Sequence, residues 1–500
     1  MGSGLDTWFR ATMPPGTSRR GGLVMGTANR KRTNATETGA TKDMTVGSPI
    51  RLIVSFATPM LIGNIFQQIY TMIDTMEMGY FVGDSAISAI GAASALYNLL
   101  LSLTISMNNG YAIIVTQAFG AHDATRMRRA VGGTLVLNAS MTVIVTLGSL
   151  LFMVPLLTFM NTPAEIFDQS YIYMMILCAG LCTTVCYNMC AGVLQAVGNS
   201  KTPLYILIVS SIVNIALDLF LIIGLGLGVV GTALGTVIAQ GLSAVLCASV
   251  LLRKYRTLLP RHGDIAASRA LWPSLLSSGM AMALMMCVVN LGTIIFQRAN
   301  NVLGQNVIAA HTASRKIIEA FMQPLGVLAT ANATFVSQNW GAGKFERIQK
   351  TLRRVLGLEV LWGVLACVIV YLLSDPLMRL ITGTQNAQII ANGVMSMRIH
   401  LPFFPVLGVL LCLRTAMQSM GYKAAPVASS CVELAMKAVG ATIFIPMLGY
   451  VGTCITEPVT WVLMTIFLGV VYLLRRQKIY GSARREESLE EGQLEPAIAE

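Results

Sequence analysis

Twelve long apolar stretches constrain this chain more than any other feature. They fall at 52–74, 87–119, 131–155, 169–192, 202–225, 229–252, 274–297, 307–338, 352–374, 388–417, 424–446 and 450–474. A helix needs about 20 residues to cross the roughly 30 Å of bilayer hydrocarbon. In lipid, every backbone polar group must find its partner inside the protein. The expected fold is therefore an all-α polytopic membrane protein with twelve transmembrane helices. Composition agrees, with 54% of residues apolar and 12% charged, against about 25% charged in soluble domains. Too few charges remain to cover a water-facing surface.

The net charge of +12 would suit a nucleic-acid binder if the basic residues shared one surface. They do not. Of the 35 Lys and Arg residues, 28 lie in the termini and in every second loop, and the other five loops hold only Arg298 and Arg379. That bias predicts a multi-pass protein of the cell (inner or plasma) membrane with both termini cytoplasmic. Residues 1–48 lack the apolar core of a signal peptide and read as a disordered cytoplasmic tail. Residues 477–500 read as a second, charged tail. All ten cysteines fall inside apolar stretches, as small packing residues do, and do not form a disulfide framework.

The chain also repeats itself. Val115-Thr-Gln117-Ala-Phe-Gly120-Ala121 recurs as Val336-Ser-Gln338-Asn-Trp-Gly341-Ala342, an offset of 221. Gln195-Ala-Val-Gly198 with Pro203 recurs as Gln418-Ser-Met-Gly421 with Pro426, an offset of 223. Gly228-Val-Val-Gly231-Thr232 recurs as Gly449-Tyr-Val-Gly452-Thr453. Ordered matches at nearly one offset mark an internal duplication. Each unit holds six helices, an even number, so both enter the membrane in the same sense. The two lobes are expected to be related by an axis along the membrane normal, a parallel repeat. The boundaries read as an N-lobe over 49–256, an inter-lobe linker over 257–273 and a C-lobe over 274–476.

Ala57-Thr-Pro59 in the first span, followed by Gln67, Tyr70 and Val82-Gly83, resembles the multidrug and toxic compound extrusion (MATE) family. So do the paired Gln-x-x-Gly-Ala motifs and the turn Gly198-Asn-Ser-Lys201-Thr-Pro203. The similarity runs from about residue 48 to 476 and is greatest to the bacterial DinF-like branch. It implies a secondary antiporter that exports cationic or amphipathic organic compounds (drugs, toxins or metabolites) as H+ or Na+ enters. It also implies that Asp74, fifteen residues after Pro59, is the coupling carboxylate. The family's fifth-helix Asn-x-x-x-Asp falls on Asn214 and Asp218, its sixth-helix hydroxyl on Thr236 and its fourth-helix amide on Asn188.

Helical geometry supports part of this constellation independently. Gln67, Tyr70 and Asp74 share one face of the first helix, and Asn214 and Asp218 share a face of the fifth. Counted along their helices, Asp74, Asp218 and Thr236 lie at similar depth, whereas Asn188 lies deeper. Two carboxylates, an amide and a hydroxyl make an oxygen-rich site that serves a proton or a Na+ ion. Gln67, Tyr70, Glu457 and Arg315 are candidates to line the substrate cavity. Pro59 is a candidate conformational hinge, since proline removes a helical hydrogen bond. In the second lobe, Arg315 with Glu319 and Glu433 with Lys437 are spaced for pairing within one helix, while Glu457 has no evident partner.

No catalytic motif occupies the short loops, so an enzyme is not expected, nor is a cofactor beyond the coupling ion. Small organic cations or amphiphiles and membrane lipid are the expected partners, with no nucleic acid and no obligate protein partner. A flippase for a lipid-linked precursor, as in related superfamily branches, is the alternative. The twelve helices argue against it, because such relatives carry additional ones.

Overall fold

The computed structural model describes residues 42–81, 84–159, 162–383 and 386–494, with side chains described except at 74–76, 78–95, 159 and 477–494. Among the described residues every regular element is helical. The first three spans are Pro49–Phe81, Asp84–Gly120 and Ala124–Leu151. The fourth is broken at Gly180, where Ala164–Ala179 and Leu181–Ala196 meet at 43°. Lys201–Leu219 and Gly228–Lys254 complete the first lobe. The second holds Trp272–Asn301, Gln305–Gly341, Phe345–Thr382, Ala387–His400 with Phe404–Ser419, Ala424–Val439 and Tyr450–Leu494.

Among the described residues ten helices are long and apolar enough to cross a membrane, or eleven with the bent pair counted as one span. The eighth expected span, Gln305–Gly341, has the length at 37 residues but not the apolarity. It carries His311, Arg315, Lys316 and Glu319. Its amides Asn332, Gln338 and Asn339 are fully buried. A helix surrounded by other helices can carry polar groups that a lipid-facing one cannot.

The buried core divides as the repeat does. One cluster joins Met107, Tyr111, Leu181, Val193 and Cys247 of the second to sixth spans. Another joins Phe335, Leu352, Phe404, Leu413 and Leu468 of the eighth to twelfth. Ile53 and Phe56, at the start of the first span, pack into this second cluster, so the first helix begins against the opposite lobe. The 257–273 stretch forms short helical turns. It is tied down where Arg128 Nε donates to Asp264 Oδ2 at 2.9 Å.

Lipid tails are as apolar as leucine side chains, so helices in a bilayer are held by close packing and interhelical hydrogen bonds. One of the tightest backbone approaches joins the two copies of one motif. A methyl group placed on Gly120 would collide with the Gln338 backbone carbonyl, and one placed on Gly341 would collide with the Gln117 carbonyl. Overpacking such a contact costs about 1–3 kcal/mol. Gly120→Val and Gly341→Val should therefore each lower stability by that amount, measured as a fall in the unfolding midpoint of the detergent-solubilised protein. Gly148→Val, at a position with open space around it, should not.

Candidate functional site

The glycines bring two glutamines into reach of the opposite lobe. Gln117 Nε2 donates to the Ser419 carbonyl at 2.8 Å, and Gln338 Nε2 donates to the Ala196 carbonyl at 2.9 Å. Ser419 and Ala196 are equivalent positions of the second repeated motif. The two repeated motifs thus bind one another crosswise, two equivalent bonds closing the basic end of the bundle.

A strap at residues 42–48 covers this seam. The Lys42 amide donates to the Val197 carbonyl of the first lobe. The Met44 amide donates to Gln338 Oε1 at 2.8 Å, and Asn339, Lys344 and Arg347 donate to carbonyls of Met44, Thr45 and Gly47. Met44 is 0% exposed and packs in the core of the second lobe. Strap and glutamines together hold both lobes.

Directly behind the seam lies a cleft with about 150 Å³ of space for water-sized molecules. Asn109, Thr116 and Gln195 line it from the first lobe, and Thr330, Thr415 and Gln418 from the second. Its wall mixes hydroxyls and amides with Ala, Ile and Met. Such a surface receives an amphipathic molecule with few directional demands.

In the first lobe, Asn214 and Asp218 are each 1% exposed. Both face the sixth helix at Gly235, where an added methyl would strike the Asp218 carboxylate and lie 3.6 Å from Asn214 Nδ2. Thr236 follows Gly235 and is half-buried. The Asn214 amide has no hydrogen-bond partner among the described residues. Of the expected oxygen set, then, Asn214 and Asp218 lie together beside Thr236. The Asp74 side chain lies outside the described residues, although its backbone continues the first helix. The Asn188 side chain donates from Nδ2 to the Thr184 carbonyl at 2.8 Å, and its backbone carbonyl accepts from Asn108 Nδ2 at 3.0 Å. Gln67 is exposed and Tyr70 half-buried. Pro59 is buried within an unbroken helix, and the Phe56 carbonyl accepts from the Ser200 hydroxyl at 2.8 Å.

The second lobe corrects one expectation. Glu457, read as partnerless, contacts Arg315 directly and lies 3.5 Å from His400 Nε2. Arg315 also holds Glu319 at 2.8 Å. Neither Arg315 nor Glu457 is among the residues lining the inter-lobe cleft. The partners of Glu457 come from the eighth and tenth helices, which spacing along the twelfth cannot reveal. Glu433 and Lys437 pair at 3.0 Å, as their spacing predicts.

Glu359 belongs to none of the motifs in the sequence. It is 0% exposed on the ninth helix, and neither carboxyl oxygen has a hydrogen-bond partner among the described residues. Its single acidic letter inside an apolar run was the signal that could have found it.

Residues 59–220 and 281–443 match the MatE family, one segment in each lobe. The chain belongs to this family of MATE transporters. It is 29% identical over 348 residues to the probable multidrug resistance protein YoeA of Bacillus subtilis, covering 68% of this chain and 75% of that protein. It is 24% identical to the DNA damage-inducible protein F of Escherichia coli, over 83% of this chain and 88% of that one. The fold matches a crystal structure of MATE in the bent conformation with a TM-score of 0.81 at 20% identity, covering 89% and 98% of the two chains. The two matched segments of this MATE protein begin at Pro59 and Ala281, an offset of 222 close to that of its repeated motifs.

Removing one partner of a buried ion pair leaves an uncompensated charge and costs about 3–5 kcal/mol. Arg315→Met should therefore destabilise the protein by that amount in chemical denaturation, and adding Glu457→Gln should recover most of the loss.

Proposed function

We propose that this MATE protein is a secondary antiporter that exports cationic or amphipathic organic molecules in exchange for H+ or Na+. The observation that carries this reading is the buried Asn214–Asp218 pair in the first lobe, packed against the sixth helix at Gly235. A carboxylate removed from water needs a cation or a proton, and a bound organic cation competes for the same negative charge. Competition of two ligands for one site is the thermodynamic content of exchange.

In this scheme the basic end faces the cytoplasm, and the crosswise glutamine bonds describe a state closed to that side. Opening it requires the two glutamine bonds to break and the 42–48 strap to release one lobe. Each net hydrogen bond is worth about 0.5–1.5 kcal/mol, so a ligand with modest differential affinity shifts the balance. Asp74, on the helix that starts against the second lobe, supplies the second carboxylate, with Thr236 adding a hydroxyl. Asn188 stands at the margin of this set. Pro59 leaves one turn of the first helix with a missing hydrogen bond, where bending during the cycle costs least. Gln67 and Tyr70 extend the same face toward the substrate.

Reconstituted protein should drive efflux of a cationic dye under an imposed ion gradient. Asp74→Asn and Asp218→Asn should each cut that rate at least tenfold while preserving thermal stability. Unchanged gradient-driven transport in both would sink the assignment. Replacing Na+ by choline at fixed pH identifies the ion: loss of transport means Na+, retention means H+.

A further inference from the structure

The threonines of the cleft wall have already given away their hydrogens. Thr116 Oγ1 donates to the Ala112 carbonyl at 2.7 Å. Thr330 donates to Gly326 at 2.8 Å, Thr334 to Thr330 at 3.3 Å and Thr415 to Leu411 at 2.9 Å, each to a backbone carbonyl four residues earlier. A hydroxyl has one hydrogen and two acceptor lone pairs. With the hydrogen turned back onto the helix, only the lone pairs remain to meet a ligand. Thr330 is exposed, and Thr334 and Thr415 are half-buried. The amides of Asn109, Gln195 and Gln418 can donate or accept, but one N–H of Gln418 is spent on the Met285 sulfur at 3.2 Å. The wall therefore offers more acceptors than donors.

The helices that form the wall add to this bias. Asp84–Gly120, Leu181–Ala196, Gln305–Gly341 and Phe404–Ser419 all end at the seam. Thr116, Gln195, Ser337 and Gln418 of the cleft stand in or beside their last turns. The C-terminal end of a helix carries the equivalent of about half a negative charge, felt within its last turn. Four such ends converge here. Among the described residues none that lines the cleft is ionisable, so no lysine or arginine of the wall cancels that potential and no carboxylate replaces it. A negative potential attracts any cation, whereas neutral acceptors reward one that has N–H bonds to give. A quaternary ammonium carries the charge but has no N–H.

We infer that this cleft recognises protonated amines, selecting primary and secondary ammonium or guanidinium groups over quaternary ones, with Thr330 and Thr334 as its specificity-determining residues. The inference rests on the transport reading and narrows its substrate class from organic cations in general to cations that donate hydrogen bonds. Asp218 is the penultimate residue of Lys201–Leu219, a helix that begins at the basic end. The cleft and the acidic pair therefore lie at different depths, as successive stations for the same molecule.

The test measures binding of dansylcadaverine, which ends in a primary ammonium, and of its N,N,N-trimethyl analogue to the full chain in neutral-lipid nanodiscs. Dye and charge are the same in both, so the change in their Kd ratio on substitution isolates the N–H contribution. Wild type is expected to bind the primary ammonium the more tightly. Thr330→Val with Thr334→Val, which keeps the side-chain shapes and removes both oxygens, should shrink that preference about tenfold, the weight of hydrogen bonds to a charged group. Thr330→Ser with Thr334→Ser, which keeps the oxygens, should hold the ratio within about threefold of wild type. Thr415→Val should move it in the same direction as the double valine variant and serves if that variant fails to fold. An unchanged ratio in the folded valine variants, or no binding of the primary ammonium by wild type, overturns the proposal. A preference kept by the valine variants but lost in Asp218→Asn also overturns it, by placing N–H recognition at the acidic pair. If the ratios shift as expected but no ion gradient moves either probe in proteoliposomes, the transport reading fails and the amine site stands. Gradient-driven movement of both probes with an unchanged ratio leaves the transport reading and removes this one.

Discussion

The structure depends on a pair of hydrogen bonds that run from one lobe to the backbone of the other. Gln117 reaches Ser419 across 302 residues of chain, and Gln338 reaches Ala196 across 142. In a bilayer there is little hydrophobic gain in pressing helices together, so such bonds and the close packing around them decide where lobes meet. Gly120 and Gly341 make the approach possible, because any side chain there would enter the opposing carbonyl. The cleft ends where these contacts begin. Closure of the basic end is thus a local property of two repeated motifs, and the strap at Met44 reinforces it from outside.

The same duplication that builds the seam leaves the two lobes electrostatically unlike. The first buries Asn214 and Asp218 against a glycine, with the amide lacking a hydrogen-bond partner among the described residues. The second lobe carries more charge but neutralises most of it through Arg315, Glu319, His400 and Glu457. Glu359 stands outside that balance: it lies against Gly408 near Leu325, and neither carboxyl oxygen has a hydrogen-bond partner among the described residues. A buried carboxyl without a partner is costly.

Much of this was legible in the residue order, and the limit has a physical origin. Periodicity reports what lies along one helix, so the shared face of Asn214 and Asp218 and the pairing of Glu433 with Lys437 could be read directly. It says nothing about which other helix lies opposite. Glu457 has no partner along its own helix for that reason, and the bond from the Asn188 amide to the Thr184 carbonyl lies equally beyond what depth along a helix reports. The eighth stretch reads as an apolar span in the sequence, yet only its enclosure by other helices lets it carry Arg315 and Glu319.

The sequence by itself determined the class of molecule, the duplication and the six-helix unit. Crossing hydrocarbon takes a run of apolar residues too long to miss, and a repeated motif needs no structure to be seen. Only the tertiary structure decided that the repeated motifs bind one another crosswise, that the strap before the first helix locks into the opposite lobe, and which buried charges are balanced. Those outcomes depend on contacts between residues hundreds of positions apart, where the energy of a polar group is set by whatever the fold places beside it.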